Sequence, residues 1–290
     1  MAGRDPRNGD VEKDFGDHAE DAARWASPWV RRLARFGYAA KGVVYIVMGV
    51  LAVLAAAGLG GSTTDQGGVF RAIAGVPLGR GLLAVVAVGL LGYVIWRTLQ
   101  AVADPDGEGV DLRAVAKRLG YAGSALLHAV LAFSAARLVL GASGGGGSAS
   151  ESWTAALLAW PLGWILVAAV GAGVVAGGLY QIYEAYHAEF RKYLKLGEMG
   201  EKTDDWIEHG GRFGVAARGL VFCIVGGFLV LAALRSDAQE VRGLGGALAA
   251  VLQQPFGPYL LGLVAFGLVA YGLLMIAVAR YRRIAPSRAL

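Results

Sequence analysis

One pattern occurs three times along this chain, and each occurrence is long enough to be a pair of membrane-crossing helices. Gly37-Tyr-Ala-Ala-Lys-Gly42, Gly120-Tyr-Ala-Gly-Ser-Ala125 and Gly214-Val-Ala-Ala-Arg-Gly219 each open an apolar run. Each run is followed by Pro-x-Gly, at Pro77/Gly79, Pro161/Gly163 and Pro255/Gly257, and then by a second apolar run. The glycine twelve residues after each proline recurs too, as Gly89, Gly173 and Gly267. Self-similarity at this scale sets architecture before any residue is given a chemical role.

The apolar residues are clustered as well as abundant, at 56% of the 290 residues with only 17% charged. Six spans of about 20 residues, the length that crosses roughly 30 Å of hydrocarbon, are expected at Tyr38–Leu59, Leu78–Leu99, Gly120–Leu140, Leu162–Tyr183, Val215–Leu234 and Tyr259–Ala279. The runs are continuously apolar rather than alternating, which points to helices, whose backbone bonds close within each segment, and away from a barrel. The expected fold is therefore an all-α integral membrane protein of three two-helix repeats, at 31–103, 114–186 and 209–281. A tail (1–30), a connecting loop (187–208) and a basic tail (282–290) complete the chain.

Charge distribution orients these spans. Arg31, Arg32, Arg35, Arg97, Arg113, Lys117, Arg118, Arg191, Lys192, Arg212, Arg280 and Arg282 fall on one side, against Arg71, Arg80, Arg137, Arg235 and Arg242 on the other. The positive-inside rule then places both termini in the cytoplasm, and a nucleic-acid partner is not needed to explain the net charge of +5. Residues 1–27 are charged and lack the apolar core of a cleavable signal, so the first span is expected to serve as the targeting signal. Trp25 and Trp29 beside Arg24, Arg31 and Arg32 suit an aromatic and basic headgroup anchor, or an ordinary helix entry. Gly141–Ser152 looks like a flexible connector, and Phe190, Tyr193, Leu194 and Leu196 among charges suit a short amphipathic helix on the inner surface or a solvated loop. Cys223 is the single cysteine, with packing as its expected role.

Two spans per repeat make the repeats parallel, so three hairpins can close into a pseudo-threefold bundle or lie side by side. Lipid gives helices little hydrophobic incentive to pair, which makes close approach through small residues important. Gly49, Ala132 and Gly226 in the first helices, and Gly89, Gly173 and Gly267 in the second, are the expected contact positions. The repeated prolines suit the first turn of each second helix.

The repeated Gly-Tyr-Ala-x-Lys/Arg-Gly, followed by a long apolar run and by the Pro-Leu-Gly that opens the next helix, resembles the bacterial domain of unknown function 1206 family over residues 30–280. That resemblance implies a six-span membrane protein built from three copies of a two-helix unit, in the bacterial plasma membrane, and carries no activity with it. The middle repeat departs from the pattern: Ser124 stands where Lys41 and Arg218 stand, and Gly177 where Tyr93 and Tyr271 stand.

Three basic residues are the candidate binding groups. Lys41 and Arg218 share one repeat position near the cytoplasmic ends of their spans, and Arg97 ends the second span. Charge at membrane depth costs several kcal/mol unless it snorkels or is partnered. A basic rim for an anionic lipid headgroup or small solute, or snorkelling toward ordinary phospholipid, both fit. His128, eight residues past Gly120 and so about 12 Å along its helix, shares its repeat position with Tyr45 and Phe222. The three form either the lining of a conduit or an aromatic packing layer, with Tyr45 as the expected partner of His128. Arg137 suits outward snorkelling, and Glu184 is a candidate counter-charge for Arg97 or Lys41. Glu184 and His187 have the Glu-x-x-His spacing of one half of a di-iron site, but the second pair is missing, so no metal and no cofactor are expected.

No HExxH, nucleophile elbow or phosphate-binding loop occurs. Two functions remain. The first is a structural or partner- and lipid-binding module that presents small-residue faces and the Glu184–Arg212 loop to membrane proteins. The second is a small transporter or channel for an anion along the pseudo-threefold axis. Neither is an enzyme.

Overall fold

The computed structural model describes residues 28–104, 109, 111–142, 149–194 and 200–282. Six long helices carry the fold: α1 (Pro28–Ala56), α3 (Gly79–Val102), α4 (Leu112–Val139), α6 (Gly163–His187), α7 (Glu201–Arg235) and α9 (Gly257–Tyr281). All six are long and apolar enough to cross a membrane. Three short helices, α2 (Gln66–Ala74), α5 (Ala149–Leu158) and α8 (Leu244–Leu252), stand ahead of the second long helix of each repeat. Among the described residues there is no strand, only one isolated bridge between Leu194 and Arg282.

Two expectations change at the helix starts. α1 begins at Pro28 rather than Tyr38, and α7 at Glu201 rather than Val215. In both, an amphipathic turn or more carrying charges continues the helix beyond the apolar stretch. Lys41 thus lies thirteen residues inside α1, about 20 Å from its start, and Arg218 lies at the middle of α7.

The short helices lie in segments that the six-span reading leaves as connections. α2, α5 and α8 are too brief to stand alone, and each folds back on its neighbouring long helix. Ala149–Ser152, placed in a flexible connector by composition, is the start of α5, while 143–148 lie outside the described residues. The repeated Pro-x-Gly is the corner between short and long helix rather than the first helical turn. Its middle residue, Leu78, Leu162 or Phe256, is left-handed with φ of 62°, 64° and 61°. Its glycine lies so close to the preceding short helix that a Cβ would stand 1.8 Å from the carbonyl oxygen of Ile73, Leu157 or Leu252. That clash is with backbone, so Gly79→Ala is expected to force the corner apart and cost about 1–3 kcal/mol of stability, read as a lowered melting midpoint in detergent.

The long helices form a near-complete ring. The first helix of each repeat packs on the second helix of the preceding one: α4 on α3, α7 on α6 and, closing the circle, α1 on α9. Two of these contacts use paired glycines, Gly42 against Gly272 and Gly219 against Gly178, where a Cβ on either glycine would lie 2.7 Å from the opposing carbonyl oxygen. Within repeats, α1 packs on α3 and α7 on α9, with Gly37 seated on the backbone of Tyr93 and Gly214 on that of Tyr271. The middle repeat breaks this rule. α4 and α6 make no comparable contact, and a Cβ at Gly120, Gly123, Gly173 or Gly177 would meet no neighbour within 4 Å. Gly173, expected as a contact position, faces open space, whereas Gly89 and Gly267 press on Ala40 and Ala217.

The connecting segment, expected as an amphipathic helix on the inner surface or a solvated loop, is folded onto the bundle over its described residues. A 3-10 turn at Glu189–Tyr193 buries Phe190 and is followed by buried Leu194. Arg191 joins it to α7 through Asp204 and Glu208, the latter also paired with Arg212 at 2.9 Å. Arg282, placed by sequence at the head of the C-terminal tail, is buried: it donates to the Tyr38 hydroxyl and lies over the rings of Tyr38 and Trp96. Trp29 is 61% exposed at the start of α1, as an anchor requires. Trp25, Leu196 and 283–290 lie outside the described residues.

Candidate functional site

The ring brings residues of all six long helices together. Lys41 from α1 is buried at 3% exposure. Its ammonium donates to the Tyr93 hydroxyl of α3 at 3.0 Å and stands over the rings of Tyr93 and, from α9, Tyr271. That position excludes snorkelling, because the charged end points into the bundle. Arg97, one turn beyond Tyr93, donates to the same hydroxyl at 2.8 Å and to Gln100 at 3.1 Å, and its guanidinium lies over the ring of Tyr121 from α4.

Arg218 of α7 approaches from the opposite side. Its Nε donates to Tyr45 of α1 at 3.1 Å and its Nη1 to Gln181 of α6, and the guanidinium covers the rings of Phe222 at 4.1 Å and Tyr271 at 4.9 Å. Lys41 and Arg97 share the ring of Tyr93, and Lys41 and Arg218 share that of Tyr271. Three cations from two repeat positions therefore share one aromatic-lined centre. Among the described residues none of the three forms an ion pair; hydroxyls, two side-chain amides and ring faces are their partners. Glu184, the expected counter-charge, is half-buried on α6, and Tyr93 takes the place assigned to it beside Lys41 and Arg97.

The aromatic residues expected to share one layer pack in separate groups. His128 packs its ring on Tyr93 with centroids 4.5 Å apart, and its Nδ1 bonds the Ser124 carbonyl at 2.8 Å. Tyr45 packs edge-on against Tyr271 at 4.8 Å. The expected His128–Tyr45 pair is thus replaced by two tyrosine contacts with other helices. Phe222 meets Arg218 on α7. Arg137 lies beyond this centre, against the Phe133 ring of its own helix.

Three site residues escaped the sequence reasoning. Tyr93 and Tyr271 were visible as a motif position, yet their role as acceptor and ring platform depends on which neighbour they face. Gln181 sits eighteen residues past Gly163, as Arg97 does past Gly79. Aligning the repeats on Pro-x-Gly therefore identifies it as the middle repeat's version of Arg97.

Tyr93 holds two cations at once, so the centre has no separate acceptor for each. Hydrogen bonds to charged groups contribute about 1.5–3 kcal/mol. Arg218→Lys is expected to weaken the site, because a single ammonium cannot reach Tyr45 and Gln181 while covering Phe222. A double-mutant cycle with Tyr45→Phe should show coupling in wild type and little in the lysine background.

Six apolar helices with a ring of inward-facing polar groups define a multi-pass membrane protein. The chain belongs to the Domain of Unknown Function (DUF1206) family, whose pattern matches at residues 36–104, 119–188 and 213–282, once in each two-helix repeat. It is 36% identical over 257 residues to the uncharacterized protein YxxB of Bacillus subtilis (strain 168), covering 89% of this chain and 93% of that protein. No solved structure matches it.

Proposed function

We propose that the protein is a multi-pass bacterial plasma-membrane protein with both termini cytoplasmic, and that it binds an anionic group at Lys41, Arg97 and Arg218. One observation carries this reading: three cationic side chains converge inside the helix ring, and none forms an ion pair among the described residues. Like charges at membrane depth repel and are costly to desolvate, so an anion placed among them relieves both costs. Tyr45, Tyr93, Tyr271 and Gln181 fix the cations in position before any ligand arrives, which lowers the ordering cost of binding.

Tyr45 packs on Tyr271 and Phe222 lies under Arg218, side-chain contacts across the ring that favour holding a group over conducting one. The lipid bilayer is the working environment. No catalytic role is assigned.

A ligand that binds only the folded state raises stability by about 2.7 kcal/mol at a hundred times its Kd. In a neutral detergent, short-chain phosphatidylglycerol or inorganic phosphate is expected to raise the wild-type melting midpoint. The same additions should leave Lys41→Gln/Arg97→Gln/Arg218→Gln unmoved, with Lys41→Arg as the fold-preserving control. Equal shifts in wild type and triple variant would refute the site.

A further inference from the structure

The middle repeat is open on the side where its sequence departs from the other two. In repeats one and three, a tyrosine of the second long helix, Tyr93 or Tyr271, fills the sector beside the cations and seats the glycine of its partner helix. The middle repeat has Gly177 at that position and Ser124 in place of the cation. The same repeat is the one whose two long helices stand apart. Gly177 is also at the level of the site: its carbonyl accepts from Gln181 Nε2 at 3.2 Å, and the Gln181 amide oxygen accepts from Arg218. On α4, His128 stands one turn beyond Ser124, against Tyr93.

The walls of the opening are apolar away from that level. Leu126 and Leu127 on α4, one turn from Gly123, and Leu166 and Val170 on α6, three and two turns before Gly177, are all about half exposed or more. A cationic centre reached through an apolar cleft between two membrane-spanning helices matches a molecule with an anionic head and hydrocarbon tails. Resting on the anion-binding reading above, we infer that the α4/α6 opening admits one anionic phospholipid sideways from the bilayer. Its phosphate meets Lys41, Arg97 and Arg218, and its acyl chains lie against α4 and α6. The charge complementarity of the cluster selects a lipid over a second copy of this chain, which would bring the same three cations.

The test fills the cleft without touching the cations. A Cβ at Gly177 or Gly123 would meet no neighbour within 4 Å, so Gly177→Trp and Gly123→Trp are expected to fold with unchanged melting midpoints in lipid-free detergent. In nanodiscs of phosphatidylglycerol and phosphatidylcholine, wild type is expected to retain phosphatidylglycerol on delipidation. Gly177→Trp should retain at least tenfold less. Retention unchanged in that variant overturns lateral entry while leaving the anion site standing, whereas a wild type that retains no anion of any kind removes the site itself. A nitroxide at Gly177→Cys, in a Cys223→Ala background, gives the second measurement. High oxygen accessibility, rising further when the lipid is stripped, supports a lipid-filled cleft. A label-to-label distance from a second copy packed across the opening overturns it.

Discussion

Replacing Gly272 by leucine is expected to lower stability by about 3 kcal/mol and to open the helix ring on the side where it now closes. A Cβ at Gly272 would stand 2.7 Å from the Gly42 carbonyl oxygen and from the Ile46 side chain. Backbone cannot yield as a flexible side chain does, so α1 must move off α9. Insertion of bulk into a tight contact costs typically 1–3 kcal/mol and occasionally more. Within the bilayer the loss is not offset by hydrophobic transfer, because lipid tails are as apolar as the partner helix. Since α1 also carries Lys41 and Tyr45, the displacement should disperse the cationic centre. The check is a melting midpoint together with thiol accessibility of Lys41→Cys in a Cys223→Ala background, which should rise from protected to reactive. Leucine tolerated at Gly272 with both readouts unchanged would mean that the α1/α9 contact does not hold the ring.

The second large effect falls on Tyr93. Tyr93→Phe removes one oxygen that serves both Lys41 and Arg97 and is expected to cost about 3 kcal/mol, since a buried charge left without its acceptor bears the full desolvation penalty. The ring remains, so packing against Tyr38 and His128 is kept and the loss reports the hydroxyl alone. Adding Lys41→Met should recover part of the stability while abolishing anion binding. That combination separates charge satisfaction from packing, because a purely steric defect would not be relieved by deleting the cation. A melting midpoint for Tyr93→Phe equal to wild type would show that the hydroxyl is not the partner that holds Lys41.

Much of the architecture is legible in the repeats. Pro77, Pro161 and Pro255 mark the same corner three times, and the apolar runs after them are the long helices. The depth of Lys41 is not legible in the same way. Arg31, Arg32 and Arg35 interrupt hydropathy and put the apparent span start at Tyr38, although the helix runs unbroken from Pro28. Helix continuity depends on backbone bonding and packing, which tolerate charges at the end of a membrane helix. The basic residues therefore come together as a group deeper inside the bundle than the hydropathy reading, in which snorkelling looks sufficient, suggests.

The partners were harder still. Tyr93, Tyr271 and Gln181 acquire their roles from which helices are neighbours, and that order follows from contacts between repeats, α1 with α9 and α7 with α6. Glu184 was a reasonable counter-charge by sequence proximity to the basic end, yet the hydrogen bonds of Lys41 and Arg97 go to tyrosine. The open middle repeat, by contrast, leaves a sequence trace. Ser124 and Gly177 remove the cation and the ring that the other repeats supply, although only the placement of α4 and α6 shows that the missing volume becomes a cleft.

The central claim is that the buried cations hold an anion in the membrane, and native mass spectrometry of protein released gently from its own membrane tests it most directly. The wild type is expected to carry one anionic molecule per chain, identifiable by mass as a phospholipid or a smaller solute, and Lys41→Gln/Arg218→Gln to lose it. A bare wild-type chain, or a variant that keeps the same molecule at the same occupancy, would contradict the assignment.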